Sequence, residues 1–166
     1  QNINKLQHIQ NSLSRVVTSD FSRPAQQLLK ELHWLPIDKR IEFKLATLSY
    51  TAINQHQPVY LSELLTPAVA SRSTRSTGLN LLHVPFSSSN FGSRAFSVAA
   101  PKIWNNIPLQ IRNSTSLAAF KSHLKTYYFS TLWPAYLPRL ATPVPQIHYI
   151  LYIIYYYYYC CVSNVW

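Results

Sequence analysis

The sequence predicts a mainly α-helical fold, a small helical bundle with one short β element, followed by an irregular tail rich first in Pro and then in Tyr and Ile. Three observations predict it. Apolar residues recur at steps of three and four in separate stretches before Leu132, which is the period of a helix with one buried face. Only the segment from Leu79 to Val84 is short, apolar and closed by a proline in the manner of a strand. Beyond Leu132, four prolines (Pro134, Pro138, Pro143 and Pro145) forbid a helix. At 166 residues the chain holds one ordinary domain with a core.

In chain order, Ile3, Leu6, Ile9, Leu13, Val16 and Val17 form an apolar stripe with Lys5, His8, Gln10 and Arg15 around it, and this is the first helix. Ser22-Arg23-Pro24 offers an N-cap followed by a proline suited to a first helical turn, with Leu28, Leu29 and Leu32 as the buried side of a short second helix. Pro36 pushes Leu35 out of the helical region, so Leu32-His33-Trp34-Leu35-Pro36 reads as a structural corner. A third helix runs from Asp38 to Ile53, with Ile37, Ile41, Leu45, Leu48 and Ala52 along one face and Arg40, Glu42 and Lys44 at its sides. Pro58 to Leu65 carries enough apolar residues for one or two further turns.

From Thr66 to Gly78 the chain is a polar basic loop, and Leu79, Leu81, Leu82 and Val84 follow as the short strand. Ser87 to Gly92 is a second loop, and Arg94 to Ile107 alternates small and bulky apolar residues around Pro101. The last helix covers Ser116 to Phe129, with Leu117, Phe120, Leu124, Tyr127 and Tyr128 inward and Ser114, Thr115 or Ser116 as its cap. These elements divide the chain into a helical bundle over 1–65, a basic loop and strand over 66–92, a segment with the final helix over 93–132, and a low-complexity tail over 133–166.

The tail has two readings. Tyr, Ile, Leu and Cys are encoded by A/T-rich triplet repeats, which makes translated repeat sequence one reading; a membrane anchor over 147–162 is the other. That anchor would be about 16 residues where about 20 are needed, and seven of them are tyrosines, which favour interfaces. The adjacent Cys160 and Cys161 form neither a relaxed disulfide nor a zinc spacing and suggest a reducing compartment. Gln1 to Val17 is too polar for a cleavable signal, and the absence of an initial Met suggests a fragment or a partial gene model.

Charge is the clearest guide to partners. The net charge is +10, and all five acids (Asp20, Glu31, Asp38, Glu42 and Glu63) precede Leu64. Eight Lys and Arg follow with no acid among them, a distribution that favours polyanions. Arg72, Arg75, Lys121 and Lys125 are candidate phosphate contacts where the loop and the last helix share a face, and a solvated surface otherwise. Arg94, embedded in Gly-Ser-Arg-Ala-Phe-Ser, needs a phosphate or a backbone carbonyl as partner, and Lys102 and Arg112 complete the nucleic-acid-binding candidates. Trp34 and Trp104 read as packing residues. No hydrolase triad is spaced here, and two glycines, Gly78 and Gly92, cannot build a glycine-rich phosphate loop.

A series of motifs in fixed order adds a family resemblance. Lys5-Leu6-Gln7-His8-Ile9-Gln10-Asn11, Leu32 to Pro36 with Arg40-Ile41 and Phe43-Lys44, and Pro58-Val59-Tyr60-Leu61-Ser62-Glu63-Leu64-Leu65 are its first part. Ser71-Arg72, Leu79 to Pro85, the block from Gly92 to Pro108, and Phe120-Lys121 with Leu124-Lys125-Thr126 continue it. From Leu6 to about Leu132 the chain resembles the region downstream of the catalytic palm in reverse transcriptases of LINE-type, jockey-like non-LTR retrotransposons. The resemblance implies a thumb-like bundle over 1–65, and RNA or an RNA–DNA hybrid as partner. Polymerase chemistry requires paired carboxylates holding two Mg²⁺, and the sequence contains no Asp-Asp pair. The expectation is therefore a non-catalytic fragment with no cofactor and no small-molecule substrate, in the cytoplasm or nucleus. A small tail-anchored membrane protein and a chain without cellular role are the alternatives.

Overall fold

A computed structural model describes residues 2–68 and 80–134. Among them the chain is mainly helical, as the apolar periodicity predicts. The helices are α1 (Asn2–Thr18), α2 (Ala25–Glu31), α3 (Ile37–Gln55), the single turn α4 (Val59–Ser62), α5 (Phe96–Asn106), the short α6 (Leu109–Arg112) and α7 (Leu117–Leu132). A 3₁₀ turn, Gly92–Arg94, leads into α5. The expected loop residues 69–79, including Arg72 and Arg75, and the tail from 135 onward lie outside the described residues.

The Leu32–Pro36 corner is a helix C-cap. His33 takes the left-handed conformation at φ 55°, one that His adopts more readily than most side chains do. Its N–H donates to the Lys30 carbonyl, and the Trp34 N–H donates to the Leu29 carbonyl at 2.8 Å. This is the bond pattern of a Schellman cap, which satisfies the last carbonyls of α2. The chain then turns through buried Leu35 to Pro36, which serves as N-cap of α3. The second-helix cap expected at Ser22 is corrected. Pro24 holds that position, while the Ser22 N–H and hydroxyl both bond Asp20 Oδ1.

α1 forms where its periodicity places it, but its apolar stripe faces outward: Ile3, Leu6, Ile9, Leu13 and Val16 are all exposed. The inward face is polar and is held by specific bonds. Gln10 is buried and donates from Nε2 to the Leu35 carbonyl at 2.8 Å. Gln7 Oε1 accepts from the Ile37 N–H at 2.9 Å, satisfying one of the amides left unpaired in the first turn of α3. Gln7 is itself steadied by Asn11. The glutamine motif and the corner motif are thus bonded to one another.

α3 is the central helix, packed against α1, α4, α5 and α7. Its buried residues are Ala46, Ser49, Tyr50 and Ala52, so the expected stripe is only partly inward, and Ile41 is exposed. Small side chains line it because its most extensive pairing is with α5, which buries Val98, Ala100 and Pro101 in turn. Pro101 lies inside α5, where alternating small and bulky residues hid a helix from the periodicity. The aromatic centre joins three helices. Phe120 of α7 is fully buried, with Tyr50 of α3 stacked on it at 4.5 Å and Trp104 of α5 at 6.0 Å between centroids. Aromatic pairs of this kind add about 0.5–1.5 kcal/mol each beyond area burial. Ser116 caps α7 by accepting from the Ala119 N–H.

The expected strand is reduced to one isolated antiparallel bridge, Pro67 to Leu82, with no strand among the described residues. The outward side of Leu82 needs no second strand, because Asn105 of α5 occupies it. Asn105 Oδ1 accepts from the Leu82 N–H at 2.9 Å and Asn105 Nδ2 donates to its carbonyl at 2.8 Å. The neighbouring Asn80 carbonyl accepts from Trp104 Nε1 and from Arg112, both at 3.0 Å.

Candidate nucleic-acid interface

Gln7, Gln10, Trp104 and Asn105 of the ordered motifs are bonded within the fold, and the exposed cations are what a polyanion would meet. Arg112 is drawn inside. It is buried, bonds the Asn80 carbonyl, and has its pKa lowered by burial. It holds Asn80, a correction to its expected place among the nucleic-acid-binding residues. Arg94 ends the 3₁₀ turn with its side chain exposed, and Lys102 is exposed on α5. Trp104 is a core residue, as expected, whereas Trp34 is only half-buried.

Lys121 and Lys125 stand one turn apart on the exposed side of α7. α7 packs on α3, which brings Arg40 toward Lys125. The pKa of Lys125 is lowered, first by desolvation and then by the positive charge of Arg40. Lys125 Nζ also lies 5.8 Å from the Phe129 ring centroid, a contact that favours a cation. Phe129 in turn has His33 at 5.9 Å and Trp133 at 5.2 Å. Phe129 is buried, so the partly accessible rings beside the cations are those of His33 and Trp133.

Farther along the same helix pair, Lys39 lies 5.6 Å from the Tyr128 centroid and bonds Glu42 at 2.7 and 2.8 Å. Burial, with Glu42 adding to it, pushes the Tyr128 hydroxyl well above the ordinary phenol range, so this ring stays neutral. Lys121, Lys125, Arg40 and Lys39 thus form a strip on α7 and α3, and Glu42 within it is engaged by Lys39. Arg40 was not among the candidates read from sequence. It is 85 positions from Lys125, and only the packing of α3 on α7 puts the two together.

Among the described residues no cluster of three His, Cys, Asp or Glu is arranged to hold a metal ion. Nor is any helix among them long and apolar enough to cross a membrane, and the suggested anchor over 147–162 lies outside them. Comparison with protein-family models, with curated proteins and with solved structures finds no match.

Proposed function

We propose that this chain is a non-catalytic piece of a retrotransposon reverse transcriptase, its thumb and the stretch after it, and that it holds RNA or an RNA–DNA hybrid by the phosphate backbone. The observation that carries the binding is the pair Lys121 and Lys125, exposed one turn apart on α7 in a half of the sequence that holds no acid. The Lys125 cation is disfavoured there by desolvation and by the positive charge of Arg40. A phosphate oxygen beside Lys125 would offset this repulsion with a charge-assisted hydrogen bond. Lys121, one turn away, extends the strip along the path of a strand. Contacts of this kind carry no base identity, so binding is sequence-tolerant.

The lineage is supported by the ordered motifs, and by the way their side chains serve one another as Gln7 and Gln10 serve the corner. No catalytic step is assigned, because the sequence holds no Asp-Asp pair. A gel-shift titration with single-stranded RNA and with an RNA–DNA hybrid tests the binding. The K121E/K125E double variant is expected to weaken both by about tenfold or more at low salt, because two phosphate contacts become repulsive. Absence of any shift with the parent chain at low salt would remove the proposal.

A further inference from the structure

We propose that the turn from Phe86 to Arg94 is a stacking platform for unpaired bases, an inference that rests on the reading of this chain as a nucleic-acid binder. Phe86 and Phe91 are 94% and 88% exposed. A single exposed apolar side chain is ordinary, but here two bare rings lie five positions apart in one segment, whose second part, residues 89–94, is a tightly bonded turn. The Gly92 N–H donates to Ser89 Oγ at 2.9 Å and the Ser93 N–H to the Ser89 carbonyl at 3.0 Å. Ser93 Oγ donates to the Asn90 carbonyl at 2.8 Å, and the Arg94 N–H to the Phe91 carbonyl at 3.1 Å.

Gly92 lets the turn close. A Cβ there would lie 2.6 Å from Ser87 Oγ and 2.9 Å from Ser89 Oγ. Ser87 and Gly92, the residues directly after the two phenylalanines, therefore approach closely with no room for a side chain at position 92, which brings those two points of the backbone together. Arg94 adds an exposed guanidinium three residues beyond Phe91, and no acid occurs in the sequence after Glu63. Aromatic faces beside a cation in an acid-free region match a strand whose bases have π-faces and whose backbone is anionic. A neutral apolar partner would use the rings and leave the cation without a role. An anionic membrane would use both, and the test separates it from RNA.

The test measures binding of the full chain to labelled oligouridylate, to oligoadenylate, to an abasic ribose-phosphate strand of equal length, and to phosphatidylserine/phosphatidylcholine vesicles. F86A/F91A is expected to weaken both base-bearing strands by about tenfold or more, leaving the abasic strand and the salt slope as in the parent. F86W/F91W restores or strengthens binding, which a merely structural role would not produce. Because both rings are exposed, neither variant should shift the thermal midpoint. If F86A/F91A binds base-bearing strands as the parent does while K121E/K125E still weakens them, the platform is overturned and the proposed function stands. If the parent binds no strand at low salt, both fall. If F86A/F91A loses vesicle binding and keeps RNA binding, the turn is a lipid-contacting element and the inference is overturned.

Discussion

Asn105 grips Leu82 by both backbone groups, its amide accepting from the N–H at 2.9 Å and donating to the carbonyl at 2.8 Å. One side chain does the work of a neighbouring strand. The Pro67 bridge uses the flanking Leu81 carbonyl and His83 N–H, so the groups of Leu82 itself point the other way, into α5. Asn105→Ala would leave both unpaired at a buried residue. The expected loss is about 2–4 kcal/mol by urea unfolding, the cost of two orphaned backbone groups. A loss below about 0.5 kcal/mol, the range of ordinary surface changes, would contradict this role.

α1 is attached by its polar face, which reverses the usual effect of substitutions. Gln10→Leu makes the helix more apolar, yet it should destabilise the chain by about 1–2 kcal/mol by leaving the Leu35 carbonyl unpaired. Leu6→Gln with Leu13→Gln should change stability by no more than about 0.5 kcal/mol each, since both residues are half exposed. The same pair should lower concentration-dependent light scattering, because it interrupts a continuous apolar stripe. Core-sized losses of about 2–5 kcal/mol for the leucines would instead mean that the stripe is buried.

These two cases show what was legible in the sequence. The short α6 after Pro108 was not legible, whereas the positions of α1 to α4 and of α7 followed from the step of three and four and from prolines at 24, 36 and 58. The face turned inward did not, because for α1 it is decided by Gln7 and Gln10 reaching backbone groups 30 and 25 residues away. α5 escaped because Pro101 and small side chains blur its period, although those same features suit its packing on α3. In the candidate site Lys121 and Lys125 were legible as an exposed pair four apart. Arg40 was not, since its nearness to Lys125 is a product of helix packing. The side chain of Arg112 shows the opposite error, a cation that looks available in sequence but serves the fold.

Lys125 should trade stability for binding. Its lowered pKa means that between that value and the ordinary 10.5 the folded chain holds fewer protons than the unfolded one, so stability rises with pH through that window. Lys125→Gln should abolish this rise and stabilise the chain near neutral pH by about 0.3–0.5 kcal/mol, the scale of a screened surface pair. The same variant should bind RNA more weakly. Thermal melts across alkaline pH, paired with the gel shift, check both halves.

Asp20 supplies the acid-side counterpart. Arg23 and Ser22 hold its carboxyl well below the usual carboxylate range through side-chain and backbone hydrogen bonds. Its contribution is present above the unfolded value of 3.8 and is lost as pH falls through the lower folded value. Asp20→Asn should therefore flatten the decline in stability below pH 3.8, as followed by circular dichroism. An unchanged decline would assign the acid sensitivity to other carboxylates.

The central claim is that the cationic strip on α7 and α3 holds a nucleic-acid backbone, and the salt dependence of binding tests it most directly. With on the order of four phosphate contacts, log Kd for single-stranded RNA should change with log salt with a slope magnitude of about 3, affinity falling as salt rises. The slope should be the same for unrelated sequences and smaller in K121E/K125E. An absence of binding at low salt, or a slope near zero, would contradict the account.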